Sequence, residues 1–106
     1  MKAKTDKEVL KAAEWMITNI GWCQYRPAMY NGDHVPMAFC LTGAIQFVEA
    51  SGTIKAAARE LLRTALAIHE PEMHGSIIGF NDSPGRHRDE VVKLLKRAHR
   101  APKAKK

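Results

Sequence analysis

The chain has 106 residues, of which 45% are hydrophobic and 26% are charged, a balance that excludes disorder as the default state and favours one soluble domain. The first seven residues lack the apolar stretch of a secretory signal, and no apolar run is long enough to cross a membrane. We therefore predict a cytoplasmic protein without membrane contact. Because two cysteines are too few for a disulfide framework, Cys23 and Cys40 are expected to be thiols.

The formal charge of +6 is concentrated at the two ends of the chain. Residues 1–7 carry a net +2 and residues 96–106 a net +6, so the remaining body carries −2. We predict a single domain over residues 1–106, with an ordered body from about residue 5 to residue 99 and a basic, flexible tail over 100–106. Such a tail can bind polyanions weakly and without sequence preference.

The first helix is predicted over residues 6–20. Thr5 and Glu8 form a capping-box pattern, in which Thr5 accepts the backbone N–H of Glu8 and the carboxylate reaches back to the N–H of Thr5. Apolar residues then recur at helical spacing, and Gly21 stands where a left-handed cap is needed. Two prolines and the Asn31-Gly32-Asp33 turn signal then predict a short irregular hairpin or a packed loop. We expect its large side chains to pack on the helices. They are Trp22, Tyr25, Met29, Tyr30 and Met37.

Three further helices complete the predicted fold. The second is expected from Pro36 or Met37 to Ala50, and the third from Ile54 to about Ile68, capped by Thr53. The third has an apolar stripe that includes Leu61, Leu62, Ala65 and Ile68. After a connection, the Phe80-Asn81-Asp82-Ser83-Pro84-Gly85 stretch is predicted to turn into a last helix from about His87 to Ala98. The fold class is therefore mainly α: a compact four-helix domain.

Three blocks of residues resemble a known family. They are Gly21-Trp22-Cys23-Gln24, Cys40-Leu41-Thr42-Gly43-Ala44-Ile45, and Phe80-Asn81-Asp82 with Pro84-Gly85-Arg86 and Glu90-Val91. The chain resembles small proteins of unknown function from bacteria and their phages, marked by Cys-x-x-Gly-Ala and Phe/Trp-Asn-Asp motifs. The resemblance implies a compact, mainly helical domain and no particular reaction. It also implies Thr where this chain has His87, which weakens the predicted capping box with Glu90.

Cys40 is the candidate catalytic residue. A cysteine in the first turn of a helix lies near unpaired N–H groups, which favour the nucleophilic thiolate. Catalysis also needs a base, which His69, His74 or His87 would supply, and an orienting Asn or Asp. The alternative is a small buried cysteine that packs beside Gly43.

The candidate binding residues are Asn81, Asp82, Arg86, Trp22 and Gln24. Short Asn and Asp side chains often bond their own backbone two residues on, so Asn81 and Asp82 are expected first to set the entry angle of the last helix. Arg86 is expected to pair with Asp82 or with a carbonyl of the turn. The alternative is a polar site that Asn81 and Asp82 form with Gln24, Tyr25 or Cys40.

Lys55, Arg59 and Arg63 recur at i, i+4 and i+8 and predict a basic patch on the third helix, unless they are simply a solvated face. The segment from His69 to His74 holds four groups that can bind metals, but Pro71 keeps its two histidines off one helical face and the spacing matches no zinc signature. No glycine-rich phosphate loop is present. We predict no metal and no cofactor.

The sequence predicts a small interaction or regulatory module, associated with phages or bacteria, that binds a macromolecular partner, most simply a protein. A cysteine-dependent enzyme using Cys40 is the first alternative. Weak nucleic-acid binding through the basic tail and the third helix is the second. The sequence indicates neither the partner nor the oligomeric state.

Overall fold

The structure, a computed structural model, describes residues 2–101. Within that range the chain is mainly helical, as predicted, and it adds one small antiparallel sheet. In chain order the elements are α1 (Asp6–Asn19), β1 (Ala28–Tyr30), β2 (Pro36–Phe39), α2 (Leu41–Phe47), α3 (Gly52–His69), a 3-10 turn (Pro71–Met73), α4 (Ile77–Asp82) and α5 (Arg88–Arg100). Four of the five helices have seven or more residues, so the predicted four-helix arrangement is close to the one observed.

Helix α1 begins as its sequence predicts. The hydroxyl of Thr5 accepts the backbone N–H of Glu8 at 3.1 Å. The Glu8 carboxylate accepts the N–H of Lys4 at 2.7 Å, one residue before the position that a standard capping box predicts. The buried face of α1 packs mainly against α5 and also against α2 and α3. That face consists of Val9, Leu10, Ala13 and Ile17.

The segment after α1 forms a hairpin. Strands β1 and β2 pair antiparallel, with Ala28 opposite Phe39 and a register shift between Met29 and Tyr30. In the connecting turn, the side-chain oxygen of Asn31 accepts two backbone N–H groups. Trp22 also makes a parallel bridge to Phe39, so the chain leaving α1 runs beside β2.

The predicted start of the second helix is wrong. The residues from Pro36 to Phe39 are paired in β2, and α2 begins only at Leu41. Backbone pairing with β1 and Trp22 places these residues in a strand, although their sequence pattern favours a helix. The helix also ends at Phe47, three residues before the predicted Ala50, because Val48 is extended.

Helix α3 begins at Gly52, where the hydroxyl of Ser51 accepts the N–H of Ile54 at 3.2 Å. The predicted cap, Thr53, therefore lies inside the helix. The buried stripe contains Ala58, Leu62, Ala65 and Leu66. Ile68, which was predicted to be in the stripe, is 69% exposed.

The stretch predicted as a connection and turn contains the short helix α4, which the Ser76 hydroxyl caps by accepting the N–H of Gly79. Helix α5 then extends two residues beyond its predicted end at Ala98. His99, predicted to lie in the frayed end, is buried and contacts Glu14 of α1 through its Nε2 at 2.6 Å. Most of the predicted basic tail, residues 102–106, lies outside the described part of the chain.

No helix in residues 2–101 is both long enough and apolar enough to span a membrane.

Candidate functional site

Asn81 is the polar centre of the candidate site. It lies on α4 and is only 1% exposed. Its side-chain oxygen accepts the indole N–H of Trp22 at 2.7 Å and the backbone N–H of Leu41 at 3.1 Å. Its side-chain nitrogen donates to the carbonyl of Cys23 at 3.1 Å and to the carboxylate of Asp82 at 2.9 Å. All four hydrogen bonds that an amide can make are therefore formed.

Asp82 and Gln24 extend this network to the loop before the hairpin. The Asp82 carboxylate accepts the backbone N–H of Tyr25 at 2.9 Å. The Gln24 side chain donates to the carbonyls of Asn81 and Ser83, both at 3.0 Å. We call Trp22, Gln24, Asn81 and Asp82 the polar junction. It ties the loop before β1 to α4 and to the start of α2.

Asn81 and Asp82 were predicted to hydrogen-bond their own nearby backbone, and this prediction is wrong about the partners. Their side chains do not close a turn two residues further on; they bond backbone groups 40 to 58 residues away in sequence, besides each other. This is the arrangement that the alternative prediction described, a polar site that includes Gln24 and Tyr25. Cys40 contributes to it only through its chain neighbour, since the N–H that Asn81 binds belongs to Leu41.

Arg86 lies beside the polar junction rather than in it. Its Nε donates to the carbonyl of Phe80 at 2.8 Å, and its guanidinium lies 3.8 Å from the centre of the Phe80 ring. Its acidic partner is Glu90 at 3.1 Å, not the predicted Asp82. The expected bond to a backbone carbonyl is thus present, although the carbonyl belongs to α4.

Glu90 caps the start of α5 with its side chain. Its carboxylate accepts the backbone N–H of His87 at 2.8 Å. This hydrogen bond lowers the pKa of Glu90, and the charge of Arg86 lowers it further. The start of α5 was predicted to be weakened by His87. It is stabilised instead by the Glu90 carboxylate.

Cys40 is the N-cap of α2, and its thiol is held by that role. The sulfur accepts the N–H of Gly43 at 3.3 Å and lies 3.2 Å from the hydroxyl of Thr42. Cys40 is 7% exposed. Within residues 2–101 the Cys40 sulfur forms no hydrogen bond to His69, His74 or His87, the predicted bases.

In the predicted basic patch, two of the three side chains form a hydrogen bond or an ion pair with other residues of the chain. Lys55 donates to the carbonyl of Gln46 at 2.6 Å, and Arg63 pairs with Glu60 on the same helix. Arg59 is half-buried. An engaged cation is less available to a phosphate group than a free one.

The segment from His69 to His74 does not form a ligand cluster. Among residues 2–101 there is no group of three or more His, Cys, Asp or Glu side chains placed to hold a metal ion. His74 follows the 3-10 turn in a left-handed conformation, whereas His69 ends α3.

Sequence reasoning missed the surface of the hairpin. Its large side chains were expected to pack on the helices, but several point to solvent. The exposed ones, with the preceding loop included, are Tyr25, Met29, Tyr30, Val35 and Met37. Hairpin residues normally alternate between a buried and an exposed face, so the predicted strands themselves carried a signal for partial exposure.

Tyr25 is the residue of this surface that most departs from ordinary geometry. Its backbone φ is +70°, a left-handed conformation that bulky side chains rarely adopt. The side chain is 68% exposed.

A family model matches residues 1–101 of the chain, which is nearly all of it. The chain belongs to DUF6197, a family of unknown function. The predicted resemblance to a family of unknown function is thereby confirmed. Membership in DUF6197 assigns no reaction and no partner. No curated protein and no solved structure matches the chain.

Proposed function

We propose that the protein is a small interaction module that binds a protein partner through its hairpin. The binding surface consists of Tyr25, Met29, Tyr30, Val35 and Met37, which we call the hairpin surface. Each of the five side chains is at least 46% exposed, and tyrosine and methionine are enriched at protein interfaces.

The observation that carries the proposal is the strained presentation of Tyr25. A left-handed backbone costs a residue other than glycine about 1–3 kcal/mol and persists only where surrounding contacts enforce it. Here the Asp82 carboxylate accepts the N–H of Tyr25, and the Gln24 side chain donates to two backbone carbonyls. The polar junction thus fixes the backbone from which the exposed Tyr25 side chain projects, and an ordered backbone loses less entropy on binding.

Part of the hairpin surface is anchored in the core by aromatic contacts. The Tyr30 ring packs against Phe47 with 6.4 Å between centroids. Phe47 in turn meets the buried Phe39 edge-on at 5.1 Å. Tyr30 therefore has a ring that packs on Phe47 and is still 54% exposed, and tyrosine is common among the interface residues that contribute most to binding.

The charge of this region favours a protein over a nucleic acid. In residues 22–39, Arg26 and Asp33 are the only lysine, arginine, aspartate or glutamate residues, and their charges cancel. Binding to nucleic acid draws much of its free energy from contacts between cations and phosphates. A neutral, apolar surface has little of that attraction and more of the apolar area that protein partners bury.

The two alternative functions have less support in the geometry. Cysteine-dependent catalysis requires a base near Cys40, whose sulfur bonds only Thr42 and Gly43 in the described residues. Nucleic-acid binding through α3 requires free cations where Lys55 and Arg63 have internal partners.

The proposal can be tested by site-specific photo-crosslinking in the native host. A photoreactive phenylalanine analogue would replace Tyr30 in one variant and Ile78 in a second. Ile78 is a matched control, because it is 60% exposed and lies on α4, outside the hairpin surface. We expect Tyr30 to crosslink to one defined protein, and we expect Ile78 not to do so.

A second substitution checks that the crosslink reports on the hairpin surface. Adding Met37→Asp to the Tyr30 variant should abolish the crosslink, because a buried unpaired carboxylate is costly at an interface. Equal crosslinking from both positions, or crosslinking to nucleic acid alone, would contradict the proposal.

A further inference from the structure

Backbone pairing around Phe39 brings together the two chain segments that carry the cysteines. The N–H of Phe39 donates to the carbonyl of Gly21 at 3.0 Å, and the N–H of Cys23 donates to the carbonyl of Phe39 at 3.1 Å. This is the hydrogen-bond pattern of two parallel strands with Trp22 opposite Phe39. One residue further along, this register aligns Cys23 with Cys40, at the point where Asn81 binds the carbonyl of Cys23 and the N–H of Leu41 in place of a direct strand bond.

At the spacing of paired strands, residues aligned in this way are within reach of a disulfide. Neighbouring strands lie about 4.7–4.9 Å apart, and disulfides join residues whose Cα atoms are about 4.4–6.8 Å apart. Opposite residues of a strand pair also point to the same face. Both side chains are buried, with Cys23 6% and Cys40 7% exposed.

The electrostatics of Cys23 agree with a close pair of thiols. Burial raises the pKa of Cys23, and the neighbouring Cys40 raises it further. Nearby Asp82 acts in the same direction, whereas Arg26 opposes it.

We propose that Cys23 and Cys40 form a dithiol site that low-molecular-weight disulfides oxidise to an intramolecular disulfide. In the first step one cysteine thiolate attacks the small disulfide, which forms a mixed disulfide and releases one small thiol. The second cysteine then attacks the protein sulfur of the mixed disulfide, which forms the Cys23–Cys40 bond and releases a second small thiol. Two protein thiols are oxidised and one small disulfide is reduced to two thiols, so atoms and electrons balance.

The disulfide would close a loop that contains the whole hairpin. Residues 23 and 40 flank β1, the turn and β2, and residue 40 also caps α2. The bond would restrain the base of the hairpin and reduce the conformational freedom of the unfolded chain. This inference does not depend on the identity of any partner.

The test uses the full-length protein in buffers of reduced and oxidised glutathione. Native protein and protein unfolded in guanidinium are equilibrated in parallel, alkylated and analysed by intact mass. We expect native protein to lose two alkylatable thiols and two hydrogen atoms, and to do so at a lower fraction of oxidised glutathione than the unfolded chain. The thermal midpoint should rise on oxidation.

Two single variants provide the controls. Cys40→Ser keeps an oxygen acceptor at the α2 cap and should remain folded. Cys23→Ser leaves that cap unchanged. Neither variant should form an intramolecular disulfide, and each should stop at one glutathione adduct or remain reduced. If native protein stays reduced while the unfolded chain oxidises, or forms only glutathione adducts or intermolecular dimers, the proposal is overturned.

Discussion

The side-chain oxygen of Asn81 accepts the indole N–H of Trp22 at 2.7 Å, although 59 residues separate the two in sequence. The same oxygen holds the N–H of Leu41. One buried side chain therefore connects α4 to the segment leaving α1 and to the start of α2. Because these groups have no water to replace a lost partner, the connection contributes strongly to stability.

Replacing Asn81 with Ala should lower the free energy of unfolding by about 3 kcal/mol, because several polar groups lose their partner in a buried place. The measurement is urea denaturation followed by circular dichroism. Asn19→Ala is the matched control: this asparagine is exposed and makes one side-chain bond, to the carbonyl of Trp15. The control should change the free energy of unfolding by less than about 0.5 kcal/mol. Equal effects would show that Asn81 is not the centre of the junction.

Gly43→Ala should be among the most destabilising substitutions of a small residue. A Cβ atom at this position would lie 1.8 Å from the carbonyl oxygen of Pro27, so the backbone would have to move. We expect a loss of about 3 kcal/mol or more. Gly52→Ala is the control, since a Cβ there meets nothing within 4 Å and the residue is helical. That change should be neutral or stabilising by up to about 1 kcal/mol.

Glu90 should make stability depend on pH in the acidic range. Its folded-state pKa lies below the unfolded value, because the charged form accepts the His87 N–H and is attracted by Arg86. The contribution is therefore present at neutral pH and is lost as the pH falls through the folded-state pKa. Glu90→Gln should be less stable than the parent at neutral pH, and the difference should shrink near a pH of about 3. Denaturation midpoints at the two pH values provide the measurement.

The control for Glu90 is Glu72→Gln, since Glu72 is exposed and makes no hydrogen bond within the described residues. Its effect on the midpoint should be small at both pH values. A difference for Glu90→Gln that stays constant with pH would mean that its charge contributes nothing.

Tyr25→Gly should weaken binding of the partner without lowering the stability of the protein. Glycine adopts the left-handed conformation without strain, so the variant should be at least as stable as the parent, with a gain of up to about 1 kcal/mol. The exposed ring is lost, so crosslinking from Tyr30 to the partner should fall sharply. Thermal denaturation and the crosslinking yield are measured on the same preparation. A loss of stability with unchanged crosslinking would contradict the role given to Tyr25.

Features determined by neighbouring residues could be predicted from the sequence. The Thr5 cap, the extent of α1 and the Asn31 turn depend on contacts within a few residues. The first helix accordingly ends within one residue of its predicted end. Local chemistry also identified Trp22, Gln24, Asn81 and Asp82 as polar candidates, and the structure joins these four.

Features determined by distant residues could not be predicted. The sequence from Pro36 to Phe39 becomes a strand because β1 and Trp22 pair with it. Helix α4 has six residues, too few for helical periodicity to stand out. The partners of Asn81 lie in two other segments, and only the folded chain brings them together.

The arrangement of α1 against α5 has a consequence for synthesis of the chain. The first helix leaves the ribosome well before its main packing partner has been made. Helices α2 and α3 can cover part of its apolar face, but full coverage waits for α5, so a nascent chain that stops before Val91 cannot complete its core. Until then that face is available to chaperones and to other nascent chains, and slow translation near the end of α5 would prolong the exposure.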